Sequence, residues 1–144
     1  MIESADEYVR LRESNDGAAW QRIKREEAPL QVWLDIIRNH PDMRFWVTFN
    51  RTVPVQVLRE ISGDPDWRVR DNIASNRHMP EDLIESLSRD EHDAVVSSAA
   101  GNPRCPASAL RRLLEYPWDQ VREKAERQLV EHGENIDEIP WTDR

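Results

Sequence analysis

The sequence predicts an all-α fold built from stacked two-helix repeats. Pro54, Pro80 and Pro106 stand 26 residues apart, and Asn50, Asn76 and Asn102 keep the same step. The apolar positions follow it too. Met43, Val69, Val95 and Val121 form one series, and Val47, Ile73, Ala99 and Ala125 another. Leu58, Ile84 and Leu110 form a third, and Ile61, Leu87 and Leu113 a fourth. A fixed step of this size marks a repeat whose units bury their apolar faces against one another.

Taken in chain order, residues 1–27 predict an N-terminal helical cap. Ser4 and Glu7 have the spacing of a capping box, and Asn15-Asp16-Gly17 breaks the stretch before Trp20 and Ile23. Residues 28–130 hold about four units. The first is degenerate: Pro29, Val32, Trp33 and Ile36, then Pro41, Met43, Val47 and Asn50, with a turn about two residues shorter than the rest. The second opens at Pro54, which suits the first turn of a helix because its missing N–H costs nothing there. Val57, Leu58 and Ile61 follow at helical spacing, and Gly63 sits where that helix would end. A second short helix then carries Val69, Ile73 and Ala74 on one face. The units at Pro80 and Pro106 read the same way. Residues 131–144, with Gly133 and Pro140, predict an acidic extended tail docked by Ile136, Ile139 and Trp141. On this register Val69, Ile73, Ile84, Leu87, Val95 and Leu110 should be buried.

Segments such as Val69-Arg-Asp-Asn-Ile-Ala-Ser-Asn76, followed by Met79-Pro80-Glu-Asp-Leu-Ile, resemble leucine-rich-repeat variant units, relatives of HEAT-like solenoids. Asn102-Pro103 and Cys105-Pro106 are similar to the Asn-Pro-x-x-Pro link of that family. The resemblance covers about 43–128 and implies pairs of one α-helix and one shorter or 3₁₀ helix in a right-handed α-solenoid. Some members carry a cysteine-rich iron–sulfur module, which a chain with Cys105 alone cannot build. The match speaks for fold and hardly at all for activity, since solenoids host unrelated partners.

A length of 144 residues suits one domain, and regular aliphatic positions with six Trp supply a slim core. The net charge is −8, and its location matters more than its size. The tail from 129 onward carries −4, whereas residues 28–128 carry sixteen acids against fourteen bases. Nucleic-acid binding needs clustered Lys and Arg, so this balance argues against that class. One cysteine excludes an intramolecular disulfide and fits a reducing, cytoplasmic setting. The first residues are acidic and lack an apolar stretch, so no signal peptide is expected. No run reaches the ~20 apolar residues of a membrane span.

Repeats permit an internal comparison, because a position that departs from its equivalents is under a different demand. Phe45, Trp46 and Phe49 correspond to Asp71, Asn72 and Ser75, then to Ser97, Ser98 and Gly101, then to Glu123, Lys124 and Arg127. Three aromatics therefore stand where the other units are polar or small. Either the N-terminal helices cover them, with Trp20 or Ile23 touching at least one, or they form an open partner site. Trp67 and Trp118 lie in turns, either flat on the neighbouring unit or as anchors for a partner. Arg44, Arg70 and Arg122 are equivalent, with Val96 filling the fourth place. They either pair with nearby acids or form a basic stripe gripping an acidic partner. The Asn ladder reads as framework, and His40, His78, His92 and His132 lack the spacing of a helical metal site.

No phosphate loop, nucleophile elbow or paired-carboxylate spacing is legible. The predicted function is therefore a non-enzymatic scaffold binding a protein or peptide, with no cofactor, no metal, no nucleic acid and no membrane partner. An immunity protein neutralising a basic toxin is the alternative that the charge suggests. A HEAT-like nucleic-acid enzyme is a second alternative, against which the near-neutral repeats count.

Overall fold

The computed structural model describes residues 1–135. Among them the chain forms ten α-helices and one 3₁₀ turn, and no strand. The helices are α1 Ala5–Glu13, α2 Gly17–Arg25, α3 Leu30–Asn39, α4 Arg44–Val47, α5 Val55–Glu60, α6 Trp67–Ala74, α7 Glu81–Leu87, α8 Asp93–Ala100, α9 Ala107–Leu113 and α10 Asp119–Glu131; the 3₁₀ turn is Pro41–Met43. The expected docking of Ile136, Ile139 and Trp141 lies outside the described residues.

Helix starts keep the sequence step. α5, α7 and α9 begin 26 residues apart, and so do α6, α8 and α10. The prolines sit one residue earlier than the first-turn placement predicts. Pro29, Pro54, Pro80 and Pro106 are N-cap residues in an extended conformation, with ψ between 145° and 153°. Each proline carbonyl then accepts the first helical bonds, as Pro80 O does from Leu83 N at 3.1 Å and from Ile84 N at 3.2 Å. The fixed φ of proline presets the turn into each helix without occupying a helical position.

The chain divides into two compact units, Met1–Asn72 and the part from Ile73 onward. In the first, α1 packs on α2 and α3, α3 packs on α4 and α5, and α2 meets α4. Ile2, Tyr8, Ile23, Trp33, Ile36 and Val47 are wholly buried there. In the second, α7 packs on α8, and α10 packs on α8 and α9. Ile84, Val95, Leu110, Val121 and Leu129 form its core. All six positions named from the apolar register are at most 4% exposed.

Asparagines explain how the turns are held. Asn50 Nδ2 donates to Ile23 O at 2.6 Å and Glu26 O at 2.9 Å, while its Oδ1 accepts from Thr52 N at 2.7 Å. Asn102 repeats the arrangement on Ala74 O, Asn76 O and Arg104 N. Gln128 takes the next place in the ladder and donates to Gly101 O at 2.8 Å. Each amide thus satisfies carbonyls at the end of an earlier helix, which burial would otherwise leave unpaired.

The N-terminal helices have two side-chain caps and an ion-pair cluster. Ser4 Oγ accepts from Glu7 N at 3.1 Å, whereas Glu7 Oε2 accepts from Glu3 N at 3.2 Å, one residue before the position a capping box would use. Asn15, at φ 54°, turns the chain in the left-handed region, and Asp16 caps α2 through Ala18 N. Arg22 joins Glu7 at 2.8 Å and Glu26 at 2.6 Å. The Glu3 N–H and then Arg22 hold the Glu7 carboxyl below its ordinary value of 4.5, and the hydrogen bonds from Arg22 do the same to Glu26. A carboxyl depressed by folding contributes stability above its unfolded pKa and loses it as pH falls through the folded value. The melting temperature is therefore expected to drop as pH is lowered from 4.5, and Arg22→Gln should flatten that part of the profile. An unchanged slope in the variant would contradict the assignment.

Two glycines differ from one another. Gly63 does not use positive φ, so the predicted helix-ending role is filled by an ordinary turn in which Asp64 N donates to Ile61 O. Gly133, at φ 81°, closes α10. Glu134 N donates to Leu129 O at 2.9 Å and Gly133 N to Val130 O at 3.0 Å, the paired bonds of a Schellman ending. Glu134 then meets Arg111 on α9 at 2.5 Å.

Cys105 is wholly buried in the turn before α9, and desolvation pushes its thiol up to about 12. It should stay unlabelled by a thiol reagent at pH 8 in the native protein and react at once on denaturation. Rapid native-state labelling would show that this turn opens. No helix among the described residues is long and apolar enough to cross a membrane.

Candidate functional site

The aromatic anomaly resolves into a cluster of four rings in the first unit. α4 carries Phe45 and Trp46, with Phe49 just beyond, and α2 supplies Trp20. Trp20 meets Trp46 edge-on, with centroids 5.5 Å apart and planes at 90°, and meets Phe49 at 5.7 Å. Phe45 lies 5.0 Å from Trp46 and 5.2 Å from Phe49, again edge to face. These are the separations and tilts that ring quadrupoles favour.

The N-terminal helices therefore touch the aromatics through Trp20, as one of the two expectations required, but they leave the cluster partly open. Phe49 is 39% exposed, and Phe45, Trp46 and Trp20 are half-buried. α2 thus covers one edge of the rings, and the other edge meets solvent.

Three cations flank the rings. The Arg12 guanidinium lies 3.6 Å from the Trp46 centroid, Arg68 lies 5.5 Å from Phe45, and Lys24 Nζ lies 5.6 Å from Trp20. Arg68 is also held by Asp66, with Nη2 to Oδ2 at 2.9 Å. Arg12 Nε is buried and has no hydrogen-bond partner among the described residues, so stacking fixes this guanidinium. Beside it opens a cleft of about 220 Å³ walled by Leu11, Arg12, Asp16, Trp20, Ile23 and Trp46.

Arg44, Arg70 and Arg122 lie elsewhere and are engaged within their own units. Arg70 Nη1 donates to Asp64 O at 2.6 Å and Pro65 O at 3.3 Å. Arg122 Nη1 repeats this on Tyr116 O at 2.6 Å and Pro117 O at 3.0 Å. Arg44 donates to Ile37 O at 2.6 Å and to the Asp64 carboxylate at 3.1 Å. Arg70 and Arg122 thus tie their helices to the turns before them, whereas Arg44 ties α4 to α3 and to Asp64. Trp67 opens α6 at 38% exposure, and Trp118 caps α10 at 43%, beside an open cleft formed with Pro117, Asp119 and Gln120. These two tryptophans belong to different compact units.

Sequence reasoning missed Arg12, Lys24 and Arg68. They come from three separate segments and share no step with the aromatics, so no spacing could pair them. No group of three or more His, Cys, Asp or Glu is arranged to hold a metal among the described residues. No family model, curated protein or solved structure matches this chain.

Proposed function

We propose that this protein is a non-catalytic interaction module that binds a protein or peptide partner through Trp20, Phe45, Trp46 and Phe49. We read its architecture as a right-handed α-solenoid of about four 26-residue units, related to leucine-rich-repeat variant and HEAT-like repeats and working in the cytoplasm. The regular helix starts and the repeated Asn50 and Asn102 bonding support the repeat reading.

One observation carries the functional reading: a part-exposed, cation-flanked cluster of four aromatic rings, three of which stand at positions where the other repeats are polar or small. Tryptophan, tyrosine and arginine dominate the energetic centres of interfaces. Leaving such rings in water is unfavourable by about 25 cal/mol per Å² of apolar area, which a partner would recover. The flanking Arg12, Lys24 and Arg68 suit an acidic or aromatic-bearing partner better than a basic toxin, despite the −8 net charge.

Phe49→Ser tests this reading, because Ser75 is its repeat equivalent and the ring is already 39% exposed. The variant should stay folded with a melting temperature lowered by a few degrees, because the ring's contacts to Trp20, Phe45 and Trp46 are lost. A partner retained by wild type from its native host should be lost, by roughly tenfold or more, with the variant. Equal retention by both would overturn the assignment of this face.

A further inference from the structure

The second unit holds a separate polar cleft of about 310 Å³. Its walls include Ser75, Arg77, Ser98, Gly101, Lys124 and Arg127, and among the described residues no Asp or Glu lines it. This is unusual in a chain with 28 acids against 20 bases. Its origin lies in the repeat register. The positions equivalent to Phe49 are Ser75, Gly101 and Arg127, so two small residues and a cation replace the ring. A Cβ on Gly101 would lie 3.5 Å from Lys124 Cδ, so the lysine stem runs against the bare glycine. Its ammonium reaches Ser97 Oγ at 2.8 Å and Ser97 O at 3.3 Å, both neutral acceptors.

Among the described residues, Arg77, Lys124 and Arg127 form no ion pair with a carboxylate. Glu123, Glu126 and Glu131 line a different cleft that Arg127 also borders, so they moderate that arginine from outside. Three cations on one small cleft repel one another, and an anion between them removes the repulsion. Guanidinium and ammonium groups only donate hydrogen bonds, so the ligand must supply acceptors. A phosphate monoester offers three strong acceptor oxygens and up to two charges, and arginine forks fit it in a bidentate way. A carboxylate offers less charge and fewer acceptors to the same walls.

We infer that this cleft binds a phosphate group, carried either by a phosphorylated residue of a peptide or by a free small phosphate. The site is independent of the aromatic cluster and stands or falls separately from it.

The test uses the full chain labelled with ¹⁵N and titrated with inorganic phosphate at fixed ionic strength. Saturable amide shifts should centre on Ser75, Arg77, Ser98 and Gly101, and acetate should produce far smaller ones. Arg77→Gln and Arg127→Gln, both exposed positions, should each weaken phosphate binding about tenfold with the melting temperature unchanged. A phosphoserine peptide that binds more tightly than inorganic phosphate, with its unphosphorylated form inactive, would identify a peptide source. Equal affinity for the two would identify a free phosphate, and both outcomes support the site. Shifts that spread over all surface arginines without saturating, or binding unchanged in both variants, would overturn it. So would tight, steeply salt-dependent binding of a single-stranded oligonucleotide with no response to phosphate, which would reassign the cleft to nucleic acid.

Discussion

A chain lacking residues 1–27 should lose the fold of its first unit and bind a hydrophobic dye that the intact protein excludes. The segment contributes Ile2, Tyr8 and Ile23, each wholly buried. A large apolar side chain contributes about 1.5–3 kcal/mol when buried, and small domains are stable by only about 5–15 kcal/mol in all. Removal would also uncover Trp33, whose ring packs 6.0 Å from Tyr8, and would strip Trp20 from Trp46 and Phe49. The backbone bond from Arg51 N to Lys24 O goes as well. Ile23→Ala gives the same information without truncation and should cost about 2–5 kcal/mol in urea denaturation. Loss below about 1 kcal/mol would mean that α2 is dispensable to the core.

Asn102→Leu should be nearly as severe although the side chains are close in size. Asn102 is 2% exposed and makes three hydrogen bonds, to Ala74 O at 2.7 Å, Asn76 O at 3.0 Å and Arg104 N at 2.8 Å. Leucine would leave two carbonyls and one N–H without those partners. Each unsatisfied buried group costs about 1–3 kcal/mol, so a loss of roughly 3–5 kcal/mol is expected. Serine at this position keeps an acceptor for the turn but cannot span to both carbonyls, so it should fall between wild type and Leu. A denaturation midpoint that moves little in Asn102→Leu would show that water replaces the amide, and the ladder would then be ornamental to stability.

The regular part of the fold was legible because a stacked repeat writes each demand several times. Val95 and Leu110 are buried where the step places them, and Asn50 and Asn102 bond alike because they face the same turn. The ladder's fourth member, Gln128, was hidden by its different residue type although it keeps the step. The prolines were placed one residue into the helix because proline tolerates both N1 and the extended N-cap, and only the backbone decides between them. Gly133 read as tail because its signal, positive φ after a helix, depends on where α10 ends. The aromatic cluster was half legible. Comparison among repeats exposed Phe45, Trp46 and Phe49, and proximity in sequence suggested Trp20. The cations over the rings arise from tertiary approach alone, and a repeat comparison contains no information about that.

The central claim is that the open edge of the four-ring cluster meets a partner. Replacing Phe49 with a photo-activatable phenylalanine analogue tests it most directly, with the same analogue at Gln120, an exposed site in the second unit, as control. Irradiation in the native host should give one discrete adduct from position 49, none from position 120, and a weaker yield from position 49 when Trp46→Ala is added. The same adducts from both positions, or none from position 49 while other surface positions cross-link, would contradict the claim.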